Sequence, residues 1–308
     1  MSADTAAIAG VDIGGTSTKV VLCTPQLDII ARADAATPAA LGGAAMIDTC
    51  VGLVDDLVRD TGARLLGAGV GAAGVVDART GTVLFASDSF TGWAGFPVAD
   101  AVRHRLAVPV FLDNDVNAFL RGEVTAGAVA GEAQALGMML GTGVGGALWL
   151  AGELFEGPHG AAGEIGHTPG FGDLPCTCGG HGHLETIASG RSIAARYRDA
   201  TGITLSAADI ALRAQGQDRD AQAVFDAAGA SIGKAIAMVA ALVDVTTVVI
   251  GGGVTRAWHL LEPAIRKFLV EEPPVNGRPI RLERSTLGSV SVALGAASRV
   301  RQELDLPV

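Results

Sequence analysis

The chain has 308 residues, 49% of them hydrophobic and 18% charged, which gives length for two domains and apolar material for a sizeable core. Its net charge of −10 (22 basic against 32 acidic residues), with the basic residues scattered, argues against a nucleic-acid or acidic-membrane surface. It leaves room for an anionic small ligand held locally by backbone N–H groups.

In chain order, AIAGVDI and TKVVLCT predict two strands joined at Gly14-Gly15. Residues 46–61 place Ile47, Val51, Val54, Leu57 and Val58 on one helical face, with Gly62 as the stop. LLGAGVG predicts a strand, and PVADAVRHRLA a helix whose Pro97 suits a first turn. VPVFL predicts a strand that runs directly into DNDVN. This alternation means an α/β fold with helices flanking a largely parallel sheet.

From about residue 117 the scheme restarts. A helix, NAFLRGEVTAGA, leads to LGMMLGTGVGGALWL, an apolar strand, a Gly-Thr-Gly break and a second apolar strand. A Gly-, His- and Cys-rich loop occupies 157–185; helices follow at about 185–199 and 226–243, then the strand TTVVI and GGGV. The last segment, LGSVSVALGAASRVRQEL, predicts a helix that packs back on the first domain. The expected domains are therefore 1–116 together with about 288–308, and 117–287. The repeated strand–glycine–strand element reads as an internal duplication.

Two apolar stretches, 135–152 and 235–254, superficially suggest membrane, but glycines and a threonine break the first and Asp244 interrupts the second. Buried elements account for both better than spanning helices. The opening MSADTAAIAGVDIGG lacks the basic stretch and cleavage pattern of a signal peptide, so the expected compartment is the cytoplasm. Cys23 and Cys50, in apolar stretches, read as buried free thiols rather than a disulfide framework.

Three glycine breaks, Asp12–Thr16, Leu140–Gly145 and Ile250–Val254, each follow an apolar strand. Glycines permit positive φ and close backbone approach, and consecutive N–H groups in such turns converge on anions. Thr16 and Thr142 add hydroxyl donors, and Asp12 at a strand end suits Mg²⁺, which chooses oxygen ligands. A hairpin turn explains any one break. Three in one α/β chain point to phosphate, although neither G-x-x-x-x-G-K-[ST] nor a helix-opening G-x-G-x-x-G is present.

FLDNDVNAFLRGE sets Asp113, Asn114, Asp115 and Asn117 between a strand end and a helix start, where ligands gather in open α/β sheets. N-capping explains one of the four. The remainder suits a general base that takes the proton of an attacking hydroxyl, oriented by a neighbouring asparagine. Further on, GEIGHTPGFGDLPCTCGGHGHLE carries Glu164, His167, Cys176, Cys178, His181, His183 and Glu185. Cys-x-Cys is too short for an unstrained disulfide, and clustered Cys and His point to zinc. His167, Cys176, Cys178 and His183 complete a closed tetrahedral set, which leaves Glu164 and Glu185 to meet a polyhydroxy substrate.

Taken in order, D-x-G-G-T, N-D-x-N, L-G-T-G-x-G-G, G-E-x-G-H, C-x-C-G-x-x-G-x-x-E and G-G-G resemble the ROK family of sugar kinases and regulators, particularly its bacterial glucokinases, from about residue 8 to the C-terminus. The resemblance implies an actin-like, ribonuclease H-like pair of α/β domains flanking a cleft. It implies ATP phosphates at Gly14, Gly15 and Thr16 and at Gly141, Thr142 and Gly143, adenosine near Gly251, Gly252 and Gly253, and Asp12 near Mg²⁺. Asp115 matches the catalytic base, and Gly74, Asn114, Asp115, Glu164, His167 and Glu185 match the sugar contacts. It further implies a structural Zn²⁺, His167 serving both zinc and sugar, and a homodimer.

The sequence departs from the family pattern where His183 replaces a usual third cysteine, with His181 as a rival ligand, and where Ser17 replaces a usual lysine. Repressors in the family carry a helix-turn-helix ahead of the kinase body. Here the first bend begins at Asp12 of an acidic chain, so the expectation is a hexose kinase, most simply a glucokinase. The motifs leave fructose, mannose, allose, N-acetylglucosamine and N-acetylmannosamine as rival sugars, and polyphosphate as a rival donor.

Overall fold

The computed structural model describes residues 5–87 and 89–307; residues 1–4, 88 and 308 of the expected first domain lie outside the described residues. The chain divides into two compact units, one of residues 1–131, 154–162 and 286–308 and one of residues 132–153 and 163–285.

In the first unit, β1 (Ala6–Ile13) and β2 (Ser17–Cys23) form an antiparallel hairpin, and β3 (Ile29–Ala36) extends it. β4 (Arg64–Ala72) and β7 (Val110–Asn114) add parallel to β1, giving the order β3-β2-β1-β4-β7. A small hairpin of β5 (Val75–Asp77) and β6 (Thr82–Phe85) follows β4. Helix α1 (Gly43–Thr61) buries Ile47, Val51, Val54 and Leu57, leaves Val58 half-buried, and ends at Gly62 in the left-handed conformation. Helix α2 (Val98–Leu106) starts directly after Pro97.

Helix α3 (Asp115–Ala126) follows β7 without a linker, and α9 (Ser291–Glu303) lies against both α3 and the sheet. Glycines make that packing close. A Cβ on Gly295 would collide with the Ala118 carbonyl, and one on Gly69 of β4 with the Ala296 carbonyl. This is why a boundary after residue 116 does not hold: it would cut α3 in its first turn and strip it from α9. Residues 154–162, expected in the second domain, also belong to the first unit. The Val76 carbonyl lies 2.9 Å from where a Gly160 Cβ would stand, and Arg299 of α9 reaches Glu156 at 4.0 Å.

In the second unit, β8 (Ala135–Leu140) and β9 (Val144–Leu150) form the antiparallel hairpin. With β10 (Glu153–Leu154), β11 (Thr247–Gly251) and β12 (Arg281–Arg284) they give the order β10-β9-β8-β11-β12. The two sheets share one plan: a hairpin whose first strand is continued by two parallel neighbours. The helix expected at 185–199 is two, α4 (Glu185–Ala188) and α5 (Gly190–Thr201), because Ser189 turns extended and caps α5 through its hydroxyl. Helix α6 (Ala207–Gln215) was not foreseen.

Helix α7 (Arg219–Val243) starts before the expected residue 226, capped by Asp218, and packs on α8 (Trp258–Glu271). By length and composition α7 suffices to cross a membrane. In the second unit, however, Val224, Phe225, Ala228, Ile232 and Ile236 are core residues, and its apolar character serves that core.

Candidate active site

In the first unit, register places Asp12, Gly71 and Asp113 in one row across β1, β4 and β7, and Ile13, Ala72 and Asn114 in the next. Gly14–Thr16, Gly74 and Asp115 therefore all emerge beyond the carboxyl end of the parallel strands. The first bend is a three-residue loop closed by the Gly14 N–H donating to the Ser17 carbonyl at 3.2 Å. Gly14 and Gly15 do not use positive φ, contrary to the general case for glycine made above. Close approach accounts for Gly15, where an added Cβ would stand 3.3 Å from the Phe90 ring. Gly15 and Thr16 are exposed.

Asp12 is buried, and burial pushes its carboxyl up from the ordinary 3.8, against the pull of Lys19. Lys19 stands opposite it in the hairpin register and donates from Nζ to Asp12 Oδ2 at 2.9 Å. Their pairing follows from strand register and has no signal in the linear pattern. A single carboxylate at the strand end before this bend suits Mg²⁺, which keeps most of its waters and takes few protein ligands.

The Asp113-to-Asn117 run separates into distinct roles. Asp113 is buried between Arg121 and Arg299, at 3.6 and 3.5 Å, and faces the α3–α9 side. Asn114 caps α3: its Oδ1 accepts from the Val116 and Asn117 N–H groups at 2.8 and 3.1 Å, while its Nδ2 donates to the Gly74 carbonyl at 2.8 Å. Both ends of that amide are thus fixed, and Gly74, at φ 107°, holds a conformation that suits glycine. Asp115 is the first helical residue, half-buried, and its Oδ1 accepts from the Val116 N–H at 3.0 Å. Asn117 is buried.

In the second unit, Gly141, Thr142 and Gly143 form the matching three-residue bend between β8 and β9. The Gly141 carbonyl accepts from the Gly190 N–H at 2.8 Å. The third glycine run lies beside it, since β11 is parallel to β8 and a Cβ on Gly252 (φ 92°) would collide with the Leu140 backbone. Gly251 ends β11, and Gly253 is exposed at the start of a 3-10 turn.

The structure brings together His167, Cys176, Cys178 and His183, whose ligand atoms all lie within 4.8 Å of one another. Cys176 Sγ is 3.7 Å from His167 Nδ1, and Cys178 Sγ is 3.2 Å from His183 Nδ1. Bonds of about 2.0–2.3 Å from a tetrahedral zinc give ligand-to-ligand edges of about 3.3–3.8 Å, so two thiolates and two imidazoles at these spacings fit that ion. His181 is exposed and outside the group; its backbone bridges to Pro175 instead. Gly180 makes space for the imidazole that replaces the third cysteine, since a Cβ there would press on the His183 ring.

Glu164 precedes the 3-10 turn that carries His167; burial and the charge of Glu185 push its carboxyl up, while His167 pulls it down. Glu185 is buried at the start of α4 with both oxygens engaged, by the Val144 N–H, the Thr177 hydroxyl and Arg191. Neither Thr177 nor Arg191 was foreseen. A threonine between two cysteines and an arginine six residues after a glutamate are unremarkable patterns until folded.

A sequence model of the ROK family matches residues 8–303. A glucokinase of Halalkalibacterium halodurans is 34% identical over 319 residues, covering 96% of this chain and 94% of that protein. An N-acetyl-D-glucosamine kinase of Photobacterium profundum is 31% identical over 300 residues, covering 94% and 97%. The solved structure of a ROK family glucokinase from Streptomyces griseus, in complex with glucose and AMPPNP, superposes with a TM-score of 0.84 at 30% identity over 96% of this chain and 99% of that one.

Proposed function

The chain belongs to the ROK family, and we propose that within it this protein is an ATP-dependent hexose kinase that phosphorylates the 6-hydroxyl of glucose. The observation that carries the reading is the head of α3. Asn114 is locked by the cap and by Gly74, and the adjacent Asp115 presents a carboxylate where the parallel strands end. A base in that position removes the proton of the sugar hydroxyl as its oxygen attacks the γ-phosphorus; the bond to the β–γ bridging oxygen breaks and ADP leaves.

In this reading Gly74, Asn114 and Asp115 of the first unit are sugar contacts; in the second unit Glu164, His167 and Glu185 are sugar contacts too. Gly14, Gly15 and Thr16 of the first unit would offer amides and a hydroxyl to phosphate, as would Gly141, Thr142 and Gly143 of the second, and Gly251, Gly252 and Gly253 would lie near adenosine. Asp12 would hold Mg²⁺, which neutralises phosphate charge when bound. His167, Cys176, Cys178 and His183 would hold a structural zinc. Nδ1 of His167 faces the Cys176 thiol, so Nε2 is the nitrogen left for the sugar, and a bound zinc would fix tautomer and ring orientation. The use of ATP supports a cytoplasmic site of action, and the family resemblance supports a homodimer.

An N-acetylhexosamine is the second reading, favoured by the 31% identity with the Photobacterium kinase. A panel of hexoses with ATP or polyphosphate, followed by ADP or product release, separates them through kcat/KM. Glucose with ATP is expected to lead. Preference for an N-acetylated sugar would reassign the substrate, and donor use of polyphosphate would reassign the donor.

A further inference from the structure

We propose that Thr177 and Arg191 are positioning residues that tie the His/Cys loop to the second glycine bend through Glu185, so that zinc and nucleotide strengthen each other's binding. The proposal rests on the reading of Gly141–Gly143 as a phosphate site.

Glu185 Oε1 accepts from Thr177 Oγ1 at 3.0 Å and from Arg191 Nη2 at 3.0 Å, while Oε2 accepts from the Val144 N–H at 3.0 Å. Thr177 stands between Cys176 and Cys178, so its place is set by whatever holds those two sulfurs. Val144 is the residue at which the bend rejoins β9. At the other end of the bend the Gly141 carbonyl is held by the N–H of Gly190, the neighbour of Arg191. Gly143 lies so near Glu185 Oε2 that a Cβ there would collide with it. One buried carboxylate therefore spans from the cysteine pair to the bend, and the bend is gripped at both ends by the segment that follows the loop.

The Glu185 side chain is 10% exposed and that of Arg191 49%. A buried carboxylate that loses partners is costly. If the cysteine pair is released, Thr177 leaves Oε1, and the grip on Oε2 and the Val144 amide loosens with it. Amides that receive phosphate act best when already in place. Zinc then raises nucleotide affinity, and by linkage nucleotide raises zinc affinity by the same factor. Of about four acceptor positions on the carboxylate three are filled, which leaves one, on Oε2, for a sugar hydroxyl.

The test measures zinc affinity of the full chain by competition with the zinc-selective chelator TPEN, without and with saturating Mg·AMPPNP. The wild type is expected to hold zinc at least about fivefold more tightly when nucleotide is bound. Thr177→Val and Arg191→Met are each expected to bring that ratio towards one while binding one zinc per chain, and Arg191→Lys to recover part of it. A merely structural role lowers both affinities and leaves their ratio alone. A wild type that binds nucleotide with unchanged zinc affinity, or variants that keep the full ratio, would overturn this proposal alone. A wild type that binds no nucleotide would remove the phosphate reading and this proposal together.

Discussion

At the scale of the residue, Asp12, the proposed magnesium ligand, is a side chain that the fold tolerates rather than needs. Its carboxyl is pushed above 3.8 by burial, so the folded chain holds that proton more tightly than the unfolded one. Its contribution to stability is greatest in acid and is lost as pH rises through the folded value. Asp12→Asn is therefore expected to gain thermal stability relative to wild type as pH is raised from acid to neutral, while losing Mg·ATP affinity and turnover. Melting curves across pH, with nucleotide titrations, check both; a variant less stable at neutral pH would contradict the account. The cysteines divide similarly. Burial pushes the thiols of Cys23 and Cys50 up to about 12, and thiolates are the reactive species. Iodoacetamide is expected to leave both unmodified in the folded chain and to reach Cys176 and Cys178 only after zinc is removed, as mass spectrometry of the peptides would show.

At the scale of the element, α9 and α3 are where small residues decide the packing. Gly295 and Gly122 let the two helices approach backbone to backbone, with a Cβ on Gly122 directed at the Ser291 carbonyl. Gly295→Ala is expected to cost about 1–3 kcal/mol by overpacking, read from denaturant midpoints, whereas Gly52→Ala on the open face of α1 should be neutral or stabilising.

Elements with strong periodicity were legible in the sequence: both strand–bend–strand hairpins, α1 with its Gly62 stop, and β7 running into the Asn114 cap. Those that escaped lack such signals. β3, IIARADAA, is an edge strand with charged residues and an incomplete apolar face. α8 carries Pro263 within it, which argues against a helix when read alone. α7 starts at Arg219, ahead of the expected 226, with a polar first turn capped by Asp218, and its interior Gly229 and Gly233 meet Leu261 and Phe268 of α8, a tertiary reason with no local signature. The break at Ser189 is of the same kind, since Ser192 Oγ donates to the Glu185 carbonyl as the chain turns.

At the scale of the molecule, the duplication read from two glycine-broken strand pairs reappears as two sheets of the same order, each presenting a bend at the carboxyl end of its parallel strands. The residue types of the proposed site could be picked out because phosphate, magnesium and zinc, its proposed ligands, each demand a narrow choice of donors. What the linear pattern withheld was partnership: Lys19 with Asp12, Asp113 with two arginines, Glu185 with Thr177 and Arg191. Those pairs depend on strand register and on loop closure, which composition does not encode.

The central claim is that Asp115 acts as the base of an ATP-dependent hexose kinase. Its most direct test is glucose-dependent ADP release by the wild type and by Asp115→Asn, with glucose affinity measured on both by calorimetry. The expected result is robust turnover in the wild type, a fall in kcat of about 10²–10⁴-fold in the variant, and glucose binding largely retained. No sugar-dependent ADP release from the wild type, or equal turnover in the variant, would contradict it.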